Sequence, residues 1–111
     1  MKDIPGYESL YAITEDGKVW SYKNKRFLKT RKGSDDYIRA YLCKDKKGFN
    51  VLVHRLVAMT YLPNPDNLPE VNHKDENPSN PHVSNLEWCT REYNINYGTA
   101  LQRMWITRRK K

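Results

Sequence analysis

His73, Asn85 and Asn94 lie 12 and 9 residues apart in the stretch from Val71 to Tyr97, VNHKDENPSNPHVSNLEWCTREYNINY. Core packing does not ask for these types, because strands and helices bury Leu and Val in preference to His and Asn. An imidazole titrates near neutral pH and can take a proton from water. Side-chain amide oxygens are hard donors of the kind that Mg²⁺ or Mn²⁺ accepts. Hydrolysing a phosphodiester needs both: a base for the attacking water, and a cation against the charge that builds on the phosphorane and the leaving oxygen. His73 is the candidate general base, and Asn72 and Asn94 are the candidate metal ligands. Asn85, the second candidate catalytic residue, would tie the loop's backbone together and hold the imidazole in orientation. Each residue also has a plainer reading. Asn-rich loops are common because Asn tolerates left-handed backbone and caps turns. Only the ensemble points to chemistry.

Positioning these groups requires a hairpin with strands at Glu70 to His73 and Leu86 to Cys89, closed by a helix over Arg91 to Tyr97. Upstream, short alternating segments separated by turns predict a small antiparallel sheet. Asp16-Gly17 reads as a two-residue hairpin turn with positive φ at both central positions. Lys23 to Arg26 and Lys46 to Gly48 read as further turns. From Tyr37 to Cys43 the pattern places Tyr37, Arg39, Tyr41 and Cys43 on one face, and Ile38, Ala40 and Leu42 on the other. From His54 to Tyr61 the period changes: Leu56, Val57, Met59, Thr60 and Tyr61 recur at helical spacing, and Pro63 stops the helix. Residues 63–69 hold three prolines, which makes a rigid connector. After Gly98, a possible cap, Leu101, Met104, Trp105 and Ile106 suggest another helical turn or two.

A chain of 111 residues forms one domain, or two very small modules sharing a core. With 38% hydrophobic residues and a mean hydropathy of -0.94, that core is thin, and the eight Tyr and three Trp must supply much of it. A net charge of +7 favours a polyanionic partner, nucleic acid before anionic membrane. No apolar stretch is long enough for a membrane span or a signal peptide, so a cytoplasmic location is expected. Cys43 and Cys89 are too few and too far apart for a structural zinc site, and are expected to be buried free thiols.

The central stretch resembles the HNH endonuclease motif, in the branch found in phage and intron-encoded homing and nicking enzymes. The matching features are the histidine after an amide residue, the following Asp, the Asn-rich loop, Asn-Leu-Glu-Trp, and the Asn on the closing helix. The segment IPGYESLYAITEDGKVWS, with the later VHRLVA, resembles a nuclease-associated modular domain that often precedes that motif. The resemblance implies an α+β fold, a small antiparallel sheet plus helix followed by a ββα-metal finger. It implies a DNA-binding module over residues 1–62 and a nuclease motif over 63–111. It further implies a Mg²⁺- or Mn²⁺-dependent DNA endonuclease that leaves 5′-phosphate and 3′-hydroxyl ends. Such a chain would nick one strand as a monomer or weak homodimer, in the host cell of a phage or mobile element.

The chain departs from the pattern at three places. Asn72 stands where an Asp is frequent, Glu76 where a Gly is common, and Asn96 where a final His often falls. Two neutral amides repay little of an ion's dehydration, so the expected metal site is completed by phosphate oxygens of the DNA. His54 is either a support for the site or a packing residue at a helix N-terminus. Arg39, Lys25, Arg26, Arg91, Arg108 and Arg109 are the candidate DNA contacts, with Arg39 as base reader on its sheet face and the rest on phosphates. Two rivals stay open: a DNA-binding protein whose nuclease motif has decayed, and a nucleic-acid adaptor using only the basic sheet.

Overall fold

Nine short strands and two helices organise residues 1–97, the part of the chain that the computed structural model describes. The expected turns of helix beyond Gly98, and Arg108 and Arg109, lie outside the described residues. Strands β1 (Lys2–Asp3), β2 (Tyr11–Ile13), β3 (Val19–Ser21) and β4 (Arg26–Phe27) form an antiparallel meander in chain order. A second meander joins β5 (Arg31–Lys32), β6 (Ile38–Lys44) and β7 (Lys47–Leu52). The chain passes directly from β7 into α1 (Val53–Tyr61). The hairpin β8 (Glu70–His73) and β9 (Leu86–Cys89) follows, and α2 (Arg91–Asn96) closes the arrangement. This is the expected α+β fold.

Period-two alternation governs β6. Ala40 and Leu42 are fully buried, while Tyr41 and Cys43 stay exposed on the opposite face with Arg39. Cys43 is therefore not the buried thiol expected of it. Its own strand turns it outward, and only Cys89 is buried. On the same outward face, Arg31 is paired with Arg39, and its guanidinium donates to Asn50 Oδ1 at 2.5 Å.

The turns correct two expectations. Asp16-Gly17 does not form a two-residue turn: the last strand pair is Ile13 with Val19, so the loop takes in all of residues 14–18. Gly17 alone of the pair adopts positive φ, at 89°. Thr14 holds the loop instead, its backbone N–H donating to Lys18 O and its hydroxyl accepting from Lys18 N–H, both at 2.9 Å. The tight two-residue turn falls at Asp45-Lys46, where φ is 54° and 65° and Lys44 pairs with Lys47. Gly48 is then a strand residue rather than a turn residue. Its missing side chain makes room for Tyr41, whose hydroxyl would clash with a Cβ built there.

Helix α1 is the piece on which the sheets meet. It buries Val53, His54, Leu56, Val57 and Ala58, and packs against strands of all three sheets. Met59, expected on the buried face, is 44% exposed, because the apolar stripe runs one residue earlier. The helix ends where Pro63 predicts, with Leu62 extended and its N–H donating to Ala58 O. Ile4, Ile13, Val19, Leu42, Val57, Val71 and Leu86 belong to one continuous core, so the N-terminal sheets and the β8–β9 hairpin stand on the same apolar foundation. Burying each aliphatic side chain contributes about 1.5–3 kcal/mol, which makes α1 the main mechanical link between them.

Candidate active site

Strand β8 is covered on both sides. Register pairs Asn72 with Glu87 and His73 with Leu86. Alternation turns Val71 and His73 toward α1, and Asn72 toward α2, which packs on β8. All three residues are buried, at 5–6% exposure. His73 ends the strand, and its carbonyl accepts from Glu76 N–H at 2.9 Å in a tight turn. Glu76 takes a φ of 62° there, which is the physical reason that a glycine suits this position.

The Asn-rich loop is held by its own side chains. Asn85 Oδ1 accepts from Asp75 N–H at 2.9 Å, while Asn85 Nδ2 donates to Asp75 Oδ1 at 2.9 Å and to Asn80 O at 3.0 Å. Asp75 Oδ2 accepts from Asn80 Nδ2, and its Oδ1 from Asn77 N–H. These bonds hold the Asp75 carboxyl below its ordinary value, and they occupy it fully as a turn former. Asn85 is thus placed as the clamp of the loop, not at the cavity beside His73.

That cavity measures about 500 Å³, and Asn72, His73, Asn94, Tyr97, Tyr37 and Asp35 are among its lining residues. The candidate base and both candidate ligands are therefore brought to one opening. A smaller neighbouring cavity of about 260 Å³ shares Asp35, Tyr37 and Asn94 and adds Arg39 and His54. Asn72 donates its amide N–H to Glu87 Oε2 at 3.1 Å, which leaves the oxygen as the atom with lone pairs to offer. Thr90 caps α2, its hydroxyl accepting from Tyr93 N–H at 3.1 Å, and thereby sets the helix that carries Asn94. Tyr97 fixes the far end by donating to Lys74 O at 2.9 Å.

Two family models match this chain: one described as HNH endonuclease over residues 51–95, the other as the NUMOD4 motif over residues 2–43. The solved structure of DNA binding and cleavage by the HNH homing endonuclease I-HmuI matches with a TM-score of 0.78 at 36% identity, covering 96% of this chain and 67% of that one. The chain belongs to the HNH endonuclease family. By sequence it is 39% identical over 94 residues to the DNA endonuclease I-HmuI of Bacillus phage SP01, covering 85% of this chain and 54% of that protein. It is 42% identical over 85 residues to an HNH endonuclease of Acanthamoeba polyphaga mimivirus, covering 77% of this chain and 26% of the relative. An H-N-H endonuclease, F-TflII of Escherichia phage T5, is 33% identical, with 82% and 48% covered. This chain thus spans from a quarter to about half the length of these relatives.

Within the HNH frame, the remaining sequence candidates are placed unevenly. Arg39 grips Asp35 through two bonds of 2.9 and 2.7 Å, and its guanidinium holds that carboxyl down to about 2. Lys25, with φ 53°, sits in the β3–β4 turn; Arg26 in β4 and Arg91 at the start of α2 are exposed. Sequence reasoning missed Tyr37 and Asp35, which reach the cavity from the second meander by tertiary packing alone. It also missed Glu87. Antiparallel register across a hairpin whose strands end at 73 and begin at 86 would have placed it opposite Asn72.

His54 is 6% exposed, with its ring centroid 4.5 Å from that of His73. Burial, then the neighbouring His73, Arg55 and Arg39, push its pKa from 6.5 down to about 3. Burial lowers His73 as well, partly offset by Asp75. Above pH 6.5 both folded and unfolded chains carry neutral imidazoles, and nothing is lost. Below it, the unfolded chain takes up protons that the folded one refuses, so stability falls as pH falls toward 3. Between pH 7 and pH 4.5, His54 alone removes about 2.5 kcal/mol. Urea midpoints across that range should fall well before the carboxylates titrate, and a flat midpoint down to pH 4.5 contradicts the burial of both rings.

Proposed function

We propose that this chain is a divalent-metal-dependent DNA endonuclease that nicks one strand, with His73 as general base. The observation that carries the reading is the common cavity of His73, Asn72 and Asn94, on a hairpin and helix matched to the HNH model. His73 is held neutral by burial, which is the form a base requires. Its imidazole takes a proton from a water aligned with the scissile phosphorus. The water's oxygen bonds to phosphorus as the P–O3′ bond breaks, and the departing 3′ oxygen takes a proton from solvent, leaving 5′-phosphate and 3′-hydroxyl ends. The loop clamp of Asn85 and Asp75 fixes the turn that follows His73, so the ring is presented rather than free to swing.

The donor chemistry fits a hard ion shared with the substrate. Among the described residues, no group of three or more His, Cys, Asp or Glu is placed to hold a metal. Asn72 and Asn94 instead supply neutral amide oxygens, which suit Mg²⁺ or Mn²⁺ completed by phosphate oxygens. When bound, such an ion offsets charge on the phosphorane and the leaving oxygen.

I-HmuI is described as a DNA endonuclease, and its structure as one of DNA binding and cleavage. That supports double-stranded DNA as the partner here. The outward face of the second meander, with Arg31, Arg39, Tyr41 and Asn50, is the face proposed to meet a groove, since strands can enter one with alternate side chains. Lys25, Arg26, Arg91, Arg108 and Arg109 would neutralise phosphates, each adding about 0.9 to the salt slope. Among the described residues no helix is long and apolar enough to cross a membrane. The replacement of a ligand carboxylate by Asn72 favours one rival, a DNA-binding protein with a decayed site. Supercoiled plasmid incubated with the protein and Mg²⁺ or Mn²⁺ separates them. Open circles that appear with metal and vanish with EDTA are expected, and intact plasmid under every ion gives the rival the field.

A further inference from the structure

We propose that His54 is a positioning residue for the base: through one bridging water, its buried Nδ1 takes up the hydrogen bond that the buried Nε2–H of His73 donates. This link fixes Nδ1 of His73 as the nitrogen left free to act. The inference rests on the reading of His73 as general base. It explains a feature that packing alone leaves without a reason. Among the described residues, His54 Nδ1 and His73 Nε2 are the two buried side-chain atoms with no hydrogen-bond partner. They belong to adjacent rings, 4.5 Å apart and tilted by 48°. A buried polar atom left unpaired costs about 1–3 kcal/mol, and a leucine or phenylalanine would fill the same space without that cost.

A neutral imidazole carries one donor and one acceptor nitrogen. A lone pair of His73 is left for the cavity when its proton sits on Nε2 and is donated to the bridging water, which in turn donates to His54. His73 bears its proton on Nε2, and His54 bears its own on Nε2 and accepts at Nδ1. The surroundings keep His54 in that role. Its place as the second residue of α1 sets it in the core that joins the sheets, and Tyr37 packs tilted against both rings, 5.3 Å from His54 and 5.7 Å from His73. The low pKa of His54 keeps the ring neutral at neutral pH, with one nitrogen free to accept. The arrangement is a histidine oriented by a hydrogen bond at its far nitrogen, a device that sets which nitrogen is basic.

Long-range ¹⁵N spectra of histidine-labelled wild type test the link directly, and both His54 and His73 should be protonated on Nε2. His54→Asn places an amide oxygen near the position of Nδ1, whereas His54→Leu fills the space without an acceptor. The leucine variant should lose about 10- to 100-fold in single-turnover nicking at saturating DNA with unchanged DNA affinity. It should also show a mixture of His73 tautomers, while the asparagine variant recovers most of the rate. A wild-type His73 protonated on Nδ1, or equal rates for the Leu and Asn variants, overturns the proposal. If His54→Leu does not fold, the wild-type spectrum still decides. Wild-type nicking by His73→Ala would remove the base reading, and the tautomer measurement would stand apart from it.

Discussion

His73→Ala should slow single-turnover plasmid nicking by about 100- to 10,000-fold while DNA binding stays near the wild-type level. The split is expected because His73 is 6% exposed and lines the cavity, whereas the basic side chains proposed to contact DNA lie on exposed strands and turns. On the proposed reading, removing the imidazole would leave the phosphate contacts intact and delete the group that accepts the water's proton. The pH profile supplies a second readout. A base must be unprotonated to act, and burial lowers the pKa of His73 from 6.5. The acid limb of the wild-type rate should therefore lie below pH 6.5, with activity present above it and lost as pH falls. In His73→Ala that limb should disappear along with the rate. A variant that nicks as fast as wild type, or that loses DNA affinity in proportion to its rate, removes His73 from the chemistry.

The hairpin that carries the site is legible in the sequence because its limits are chemically marked. Pro69 precedes one strand, the Asn-rich loop separates the two, and Thr90 caps the helix that follows. Strands at 70–73 and 86–89 are observed as expected, and so is the helix beginning at Arg91. Alternation along residues 37–43 is equally plain, since one face must enter the core. It also contradicts a general preference for burying cysteine: Cys43 follows its strand, not its residue type.

What is not legible is what depends on two distant segments meeting. Nothing local distinguishes Asp35 from Asp36, or Tyr37 from the other tyrosines, until the second meander is packed beside β8. His54 shows the same limit. A histidine at the start of an apolar helix reads as packing or as support, and the choice is made by a second ring brought alongside from 19 residues later. Turn chemistry is ambiguous for another reason. Asp-Gly permits a two-residue turn without requiring it. Thr14, by bonding to Lys18 from both backbone and side chain, favours the longer loop at 14–18. The charged pair Asp45-Lys46 accepts left-handed backbone that composition would assign to glycine.

Restoring a carboxylate through Asn72→Asp should make metal binding visible in the absence of DNA. In the wild type, Asn72 donates to Glu87 at 3.1 Å, so the neighbouring carboxylate is satisfied and the pair needs no cation. An Asp at position 72 removes that donor and sets two negative groups at hydrogen-bond distance in a part-buried place. Like charges so close repel, and Glu87 loses the amide donor it has in the wild type, together costing about 1–3 kcal/mol. A divalent ion relieves the repulsion and gains the charge that two amides cannot give it. The variant should melt below wild type in EDTA and rise steeply with Mn²⁺, by about 2.7 kcal/mol at a hundredfold excess over its Kd. Wild-type melting should hardly respond to the same ion, and calorimetry should find no micromolar Mn²⁺ site without DNA. Micromolar binding by the free wild type would mean that its own side chains complete the site, and an Asn72→Asp melt indifferent to Mn²⁺ would mean that position 72 does not face the ion. Either result would overturn the division of ligands between protein and phosphate, because that division assigns the missing negative charge to the substrate.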